Sequence, residues 1–406
     1  MSLLRDRRLA ALLAAETISS TGTQMTWLAL PWFVYRGTNS PERMTWVIIA
    51  EVLPVAVLGF WGGAIAGRLG TRRTMLTCDL ARVPLFAAIP ALHEAGALPL
   101  PVLLALVALS GVFLAPYFSV QRAVVPELVG EDEANVQQAA ALFQAANRTT
   151  IFLGPPLAGL LISLLGTANV IYVDAATYLA AFLLVATFVR LPEVQAEGPP
   201  TGVLDGVRFM ARDKLLRLWT PAFTVIDICW MLIFASLPVL VVTSYHASPR
   251  ILGVLSGALG GGALVGALVS MIVVRRVEAM TLGAAAFTLE MASLWILAIP
   301  AQWIVAFTGM ALAGFFTSLV NTPVHALITL RIPREIRTQA LATFGVFQCI
   351  GSPIGLALAG WALARYDTHS VLAVVLAIDT LAAATFVTGA LVERSSLRAA
   401  LVDSPA

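Results

Sequence analysis

The sequence predicts an all-α membrane protein with twelve transmembrane helices in two six-helix bundles. Of the 406 residues, 59% are hydrophobic and 12% are charged, and the mean hydropathy is +0.88. Soluble domains are about 45–50% apolar and about 25% charged, so this chain has too little polar surface to cover itself in water. Its apolar runs of about 18 or more residues therefore indicate membrane helices.

Twelve apolar runs divide the chain. The predicted spans are 9–35, 44–66, 74–95, 99–121, 136–165, 168–189, 218–243, 250–274, 279–298, 302–329, 338–364 and 369–391. Many exceed the ~20 residues that cross a ~30 Å hydrocarbon core, which favours tilt or extra turns outside the bilayer. The basic N-terminus resembles a signal peptide, but its apolar run continues to Tyr35 and predicts the first span instead.

The positive charges predict the orientation. With both termini in the cytoplasm, 19 of the 25 Lys and Arg residues lie on the cytoplasmic side and 4 lie outside, while Arg82 and Arg148 lie within spans. Cationic residues near span ends stay in the cytoplasm, so this asymmetry predicts cytoplasmic termini. The net charge of +2 follows from this topology and gives no indication of nucleic-acid binding.

A polar stretch between spans six and seven, "RLPEVQAEGPPTGVLDGVRFMARDKLLR", separates the two halves. It predicts an N-terminal bundle over 1–190, a cytoplasmic linker with an amphipathic helix over 191–217, and a C-terminal bundle with a short tail over 218–406. The two halves also share similar short stretches: "FLGPPLAGLL" resembles "CIGSPIGLALAG", and "YVDAATYLAA" resembles "AIDTLAAA". Two six-helix halves with weak internal repeats are typical of transporters.

The stretch "GAIAGRLGTRR", residues 63–73, resembles the loop signature of the major facilitator superfamily, which is a Gly, three residues, an acid, Arg, any residue, Gly and basic residues. The matching residues are Gly63, Arg68, Gly70, Arg72 and Arg73. The resemblance implies a conformational latch and not a substrate contact. Gly67 departs from the signature, since the family usually has Asp there. The alternative is a basic cluster that only orients the helices.

A second stretch, "GPPLAG" in span five, resembles the antiporter motif of the same family. Gly154, Pro155 and Gly159 match it, and Ala158 replaces one glycine. The alternative is an ordinary membrane helix kinked by proline.

The stretches "PELVGEDEANVQQAAALFQ" and "GVRFMARDKLLR" are similar to drug:proton antiporters related to macrolide-efflux proteins and the enterobactin exporter. This resemblance implies a monomeric exporter of amphipathic small molecules in the bacterial inner membrane, driven by protons.

Charged side chains within spans cost at least about 2.5–3.5 kcal/mol each on insertion scales, so each indicates a role. The candidates for proton coupling or substrate binding are Glu16, Gln24, Asp79, Arg82, Arg148, Asp227 and Glu290. Glu16 and Asp227 come first, because each lies on the first helix of its half, which the family resemblance places along a central cavity. A carboxylate there can load a proton when substrate leaves.

The other charged groups have competing interpretations. Glu16 and Gln24 are about 2.2 turns apart and share a helix face, whereas Asp79 and Arg82 have the spacing of an ion pair. We expect Glu290 either to couple protons or to pair structurally. Two further acids, Asp174 and Asp379, lie in outer helices by the same resemblance and are predicted to be structural.

One group typical of the family is missing. Many members have an Arg in span four, where this chain has Val107, and Arg148 is the candidate substitute.

Two other function classes compete with export. An importer of sugars would need several amides facing one cavity, and an importer of carboxylates would need paired basic groups. A membrane-embedded enzyme is disfavoured because the chain has no metal-ligand spacing, no Walker loop and no nucleophile elbow. No metal and no cofactor are therefore expected, and the cysteines at 78, 229 and 349 are predicted to be buried apolar side chains.

The charge asymmetry yields a test of topology. In a cysteine-free background, a single cysteine beside Arg72 or Arg276 should react with a membrane-impermeant thiol reagent only from the cytoplasmic face. A cysteine beside Arg250 should react only from outside. Labelling in intact cells and in inverted vesicles makes the comparison, and the reverse pattern would refute the orientation.

Overall fold

A computed structural model of the protein describes residues 6–129, 133–190, 203–273, 276–332 and 337–402. The described residues form long α-helices. They are α1 (Arg7–Thr38), α2 (Pro41–Leu69), α3 (Thr71–Glu94), α4 (Leu100–Val129), α5 (Glu133–Leu165), α6 (Thr167–Phe188), α7 (Val203–Arg212), α8 (Lys214–Thr243), α9 (Pro249–Val273), α10 (Ala279–Leu294), α11 (Trp303–Arg331), α12 (Arg337–Leu363) and α13 (Thr368–Val402).

Each predicted span corresponds to one long helix, and the all-α prediction is confirmed. In the described part of the chain, nine helical stretches are long and apolar enough to cross a bilayer, and one of them, Met280–Ala298, combines α10 with the short helix that follows it. The helix ends differ from the prediction. Helix α4 continues eight residues past the predicted end, since hydrophobicity marks where a helix leaves lipid and not where it stops. The last residues of the ninth predicted span, Trp295–Ala298, form a 3₁₀ helix that directly follows α10 in the chain.

Large apolar side chains are exposed along the long helices. Leu381 is 69% exposed, Met271 68% and Leu164 62%. A soluble protein rarely leaves so much apolar surface open, whereas the outer face of a membrane protein contacts lipid tails. The free cysteines Cys78 and Cys229 are buried as predicted, while the side chain of Cys349 is outside the described part.

A short helix, α7, lies within the predicted linker, and the linker's bounds stay a prediction. This ten-residue helix packs against α12 and α8, and Met210 is buried in it. Asp213 follows α7 and caps α8, because its carboxylate accepts from the backbone N–H groups of Leu215 and Leu216 at 3.0 Å. The same carboxylate forms an ion pair with Arg331 of α11 at 2.7 Å. Residues 191–202 of the predicted linker lie outside the described part.

The chain divides into two compact units. Unit 1 comprises residues 1–199 and 247–257, and unit 2 comprises residues 200–246 and 258–406. The start of α9 thus belongs to unit 1, while its remainder belongs to unit 2. The bundle boundaries predicted at 190 and 218 stay a prediction.

The two units repeat one packing scheme. In unit 1, α1 packs on α5 and α6, and α3 packs on α4 and α6. In unit 2, α8 packs on α12 and α13, and α10 packs on α11 and α13. At Gly22, helix α1 can approach α6 closely because glycine has no side chain. A Cβ at this position would collide with Thr177 and Asp174 of α6.

Candidate functional site

Unit 1 contains a buried polar network centred on Arg82 of α3. Its guanidinium donates a hydrogen bond to the hydroxyl of Tyr178 on α6 and another, at 3.4 Å, to Ser110 on α4. The Tyr178 hydroxyl also lies 2.9 Å from the hydroxyl of Thr23 on α1. Both Arg82 and Tyr178 are essentially inaccessible to solvent. The network therefore ties α1, α3, α4 and α6 together around one buried positive charge.

Three buried carboxylates surround this cation. Asp79, Glu51 and Asp174 are its electrostatic neighbours, on α3, α2 and α6. Asp79 and Arg82 are electrostatic neighbours, as their spacing predicts for an ion pair, but neither oxygen of Asp79 accepts a hydrogen bond. Two of the guanidinium N–H groups donate to Tyr178 and Ser110 instead. One cation is thus shared electrostatically among three acids.

Glu16 of α1 is held by a different set of groups. Tyr117 donates its hydroxyl proton to one carboxylate oxygen at 2.7 Å, and Gln121 donates its amide N–H to the other at 2.7 Å. The donors lie four residues apart on α4 and therefore on one face of that helix. Neutral donors occupy both oxygens of this buried carboxylate. These partners are more than 100 residues away in the chain, so no local pattern around Glu16 indicates them.

The antiporter-like motif packs on α1 through Gly154. A Cβ at this position would lie 2.5 Å from the Cβ of Gln24, so the absence of a side chain allows α5 to approach α1 there. Gln24 is half-buried at this contact. Arg148, about two turns earlier on α5, has an exposed side chain and is not brought to Glu16 or Arg82 by any hydrogen bond in the described residues.

The same motif packs on the start of α9. A Cβ on Gly159 would lie 2.6 Å from the carbonyl oxygen of Pro249 and 3.0 Å from the Cα of Gly253. In return, a Cβ on Gly253 would lie 2.5 Å from the carbonyl oxygen of Pro155. Two glycines facing each other bring the two backbones into direct contact. The motif therefore does more than kink a helix, since its glycines are required by close neighbours.

The basic loop is fastened to two other helices of unit 1. Arg72 donates from Nε to the carbonyl of Val189 at 2.6 Å and from a terminal nitrogen to that of Ala186 at 2.8 Å. These are end carbonyls of α6, where a cation also complements the helix dipole. Thr71 donates to Glu127 of α4 at 2.7 Å.

The other loop residues have simpler positions. Gly70 has φ +80°, a conformation that favours glycine, and lies between α2 and α3. Arg68 and Arg73 are exposed, and Gly63 lies within α2.

In unit 2, Asp227 of α8 contacts Gly351 and Ser352 of α12, in the stretch that resembles the antiporter-like motif. Ser352 of α12 donates its hydroxyl proton to Asp227 at 2.8 Å. A Cβ on Gly351 would lie 2.8 Å from the same carboxylate oxygen and 3.0 Å from the carbonyl of Thr224. Gly351 thus packs on Asp227 as Gly154 packs on Gln24, which makes these two side chains counterparts on the first helix of each half.

Two more acids are buried in unit 2. Glu290 of α10 accepts a hydrogen bond from Thr317 of α11 at 2.8 Å. Asp379 of α13 is fully buried, and neither of its oxygens has a hydrogen-bond partner. Within the described part of the chain, no group of three or more His, Cys, Asp or Glu side chains is arranged to hold a metal ion.

Comparison with known proteins gives a consistent result over nearly the whole chain. The family model described as Major Facilitator Superfamily matches residues 12–289 and 220–401. The multidrug efflux pump Tap of Mycolicibacterium fortuitum is 25% identical over 369 residues, covering 87% of this chain and 88% of Tap. The MFS-type transporter YfiS of Bacillus subtilis is 25% identical over 381 residues, covering 88% and 87%.

Solved structures share the fold. A mutant form of the nucleoside transporter NupG superimposes with a TM-score of 0.77 at 12% identity, covering 94% of this chain and 99% of NupG. A bacterial homologue of the iron transporter ferroportin superimposes with a TM-score of 0.73 at 16% identity, covering 96% and 100%. At these identities the likeness establishes the fold alone.

The Arg72 contacts predict a specific role within the loop. Arg72→Ala removes two charge-assisted hydrogen bonds to α6 and should lower the free energy of unfolding by about 1–3 kcal/mol, seen as a lower Tm in detergent. The exposed Arg68→Ala variant is the matched control and should leave the Tm unchanged. Equal losses in both variants would mean that the loop acts through its net charge.

The glycine contact between α5 and α9 predicts a second effect. Gly159→Ala places a methyl carbon against backbone atoms that cannot rotate away, so the Tm should fall by an amount corresponding to about 1–3 kcal/mol. Gly59→Ala on α2 is the control, since a Cβ there meets nothing within 4 Å. It should be neutral or mildly stabilising, because Ala favours helix. A neutral Gly159→Ala variant would contradict the close contact.

Proposed function

Because this chain belongs to the Major Facilitator Superfamily, we propose that it is a secondary active transporter that exports amphipathic small molecules. The export is driven by protons moving the other way, through alternating access in a bacterial inner membrane. The chain acts as a monomer with both termini in the cytoplasm and catalyses no covalent reaction. The curated relatives named multidrug efflux pumps support export as the direction and amphipathic drugs as the substrate class.

The observation that carries the proposal is the placement of Glu16 and Asp227. Each is a carboxylate on the first helix of its half, and each is held by neutral donors without a hydrogen-bonded cation. An ionised carboxylate in such a place is costly, and either a proton or a cationic substrate removes the cost. The two ligands therefore compete, and this competition is the chemical basis of antiport.

The exchange follows from this competition. When substrate leaves, the carboxylate loses the positive charge that compensated it and attracts a proton from the acidic side. The neutral carboxyl group then favours the other conformation. When the proton leaves on the cytoplasmic side, the carboxylate becomes available to the next substrate. Each conformation is thus favoured by one of the two ligands, so the proton gradient drives export.

The arrangement of Arg82 argues against an importer of carboxylates. Its guanidinium donates to Tyr178 and Ser110 and has three acids as electrostatic neighbours, so its charge is already compensated within unit 1. Such an importer would need paired basic groups. Export of neutral or cationic compounds fits the charge distribution better.

The test uses inverted membrane vesicles with an acidic lumen and ethidium as a lipophilic cation probe. The wild type should concentrate ethidium in the lumen, and collapse of the pH gradient should abolish the accumulation. Glu16→Gln and Asp227→Asn keep the side-chain volume but cannot ionise. The double variant should lose accumulation against a gradient, because nothing then links substrate to proton.

Controls separate loss of coupling from loss of protein. The exposed Glu42→Gln variant should accumulate ethidium like the wild type. In the double variant, exchange of ethidium down its own gradient should persist at normal protein abundance. Gradient-driven accumulation by the double variant would disprove the assignment of Glu16 and Asp227, whereas its absence in the wild type would disprove proton-driven export of this probe.

A further inference from the structure

Glu290 and Asp379 are two buried carboxyl groups inside unit 2. They lie on α10 and α13, which pack together, and the charge of Asp379 acts on Glu290. Glu290 is 2% exposed and Asp379 is 0% exposed. Thr317 gives Glu290 one hydrogen bond, whereas both oxygens of Asp379 are buried without a partner. A carboxylate left in this state needs a neutralising ligand.

The sequence provides no cation to neutralise the pair. The segments 220–243, 279–298, 303–329, 338–363 and 370–392, which form the cores of the unit 2 helices around it, contain no Lys and no Arg. On α8, the titratable neighbour of Asp379 is the thiol of Cys229, which carries no positive charge. His369 lies ten residues before Asp379, about 15 Å along α13, and His325 lies eight residues beyond Thr317, about 12 Å along α11.

Unit 1 shows what is missing. There, Arg82 of α3 bonds to Ser110 of α4 and faces Asp174 of α6. In unit 2, Glu290 of α10 bonds to Thr317 of α11 and faces Asp379 of α13. The helix pairs correspond, so Glu290 lies on the helix of unit 2 that corresponds to the helix carrying Arg82 in unit 1.

Two ionised carboxylates at this place would add mutual repulsion to the desolvation cost of each charge. A bound proton removes one charge and the repulsion together, and its release belongs to the pair and not to one residue. We propose that Glu290 and Asp379 are a proton-binding pair that releases and reloads a proton in each transport cycle, in addition to the protons linked to Glu16 and Asp227. The cycling part rests on the proposed antiport, while the bound proton does not.

The bound proton can be detected without transport. In the infrared spectrum of the purified protein at neutral pH, a protonated carboxyl group absorbs at a C=O frequency distinct from a carboxylate. The wild type should show such a band that is lost in the Glu290→Gln/Asp379→Asn double variant. Glu42→Gln should keep it. Identical spectra of wild type and double variant would overturn the proposal, whatever the protein transports.

The cycling is tested by the size of the ethidium gradient at zero membrane potential. These variants keep Glu16 and Asp227, so substrate stays linked to protons and only the number of protons changes. At a gradient of about one pH unit, each coupled proton contributes a factor of about ten to the accumulation ratio. The double variant should therefore accumulate about tenfold less ethidium than the wild type. The single Asp379→Glu variant, which can still ionise, should keep the wild-type accumulation ratio.

The outcomes separate the two hypotheses. Accumulation by the wild type with an unchanged ratio in the double variant would show that the pair does not cycle. No accumulation by the wild type would refute the antiport itself and leave the infrared result to decide on the bound proton. Because both substitutions are neutral and nearly isosteric, the double variant should keep its abundance and Tm.

Discussion

The cost of a charge away from water governs the interior of this protein. Its spans contain many acids and only two cations, Arg82 and Arg148, and the latter has an exposed side chain. Unit 1 solves the problem by placing Arg82 among three carboxylates and fixing it with Tyr178 and Ser110. Because an unpaired buried charge is destabilising by several kcal/mol, these helices are constrained to one mutual arrangement.

The repeat makes the two units comparable side chain by side chain. Gly154 and Gly351 pack on Gln24 and Asp227, so an amide in one unit corresponds to a carboxylate in the other. Two residues further along each helix, Thr26 lies beside Asp174 and Cys229 lies beside Asp379. Both units carry buried acids, but the described interior of unit 1 also holds the guanidinium of Arg82.

Sequence reasoning succeeded where the signal was local and failed where it was tertiary. Apolar runs predicted the long helices, because the thickness of the bilayer fixes their length. The i, i+3 spacing of Asp79 and Arg82 predicted an ion pair, and the two are electrostatic neighbours, but it did not predict the hydrogen bond from the guanidinium to Tyr178, 96 residues away. The rotation of α3 against α6 decides that contact, and one sequence does not encode it visibly. The spacing of Asp174 and Tyr178 on one face of α6 was the available hint.

The basic loop lacks the acid typical of the family, and its described hydrogen bonds lie within unit 1. Gly67 cannot supply a carboxylate, yet Thr71 bonds to Glu127 of α4, and Arg72 bonds to the end of α6. Helix α6 also carries Tyr178 and Asp174, about 12–16 Å and about 18–22 Å along its axis from the Arg72 contacts. The end of α6 therefore holds the loop through Arg72, while its middle holds Arg82 through Tyr178, so one helix positions both features.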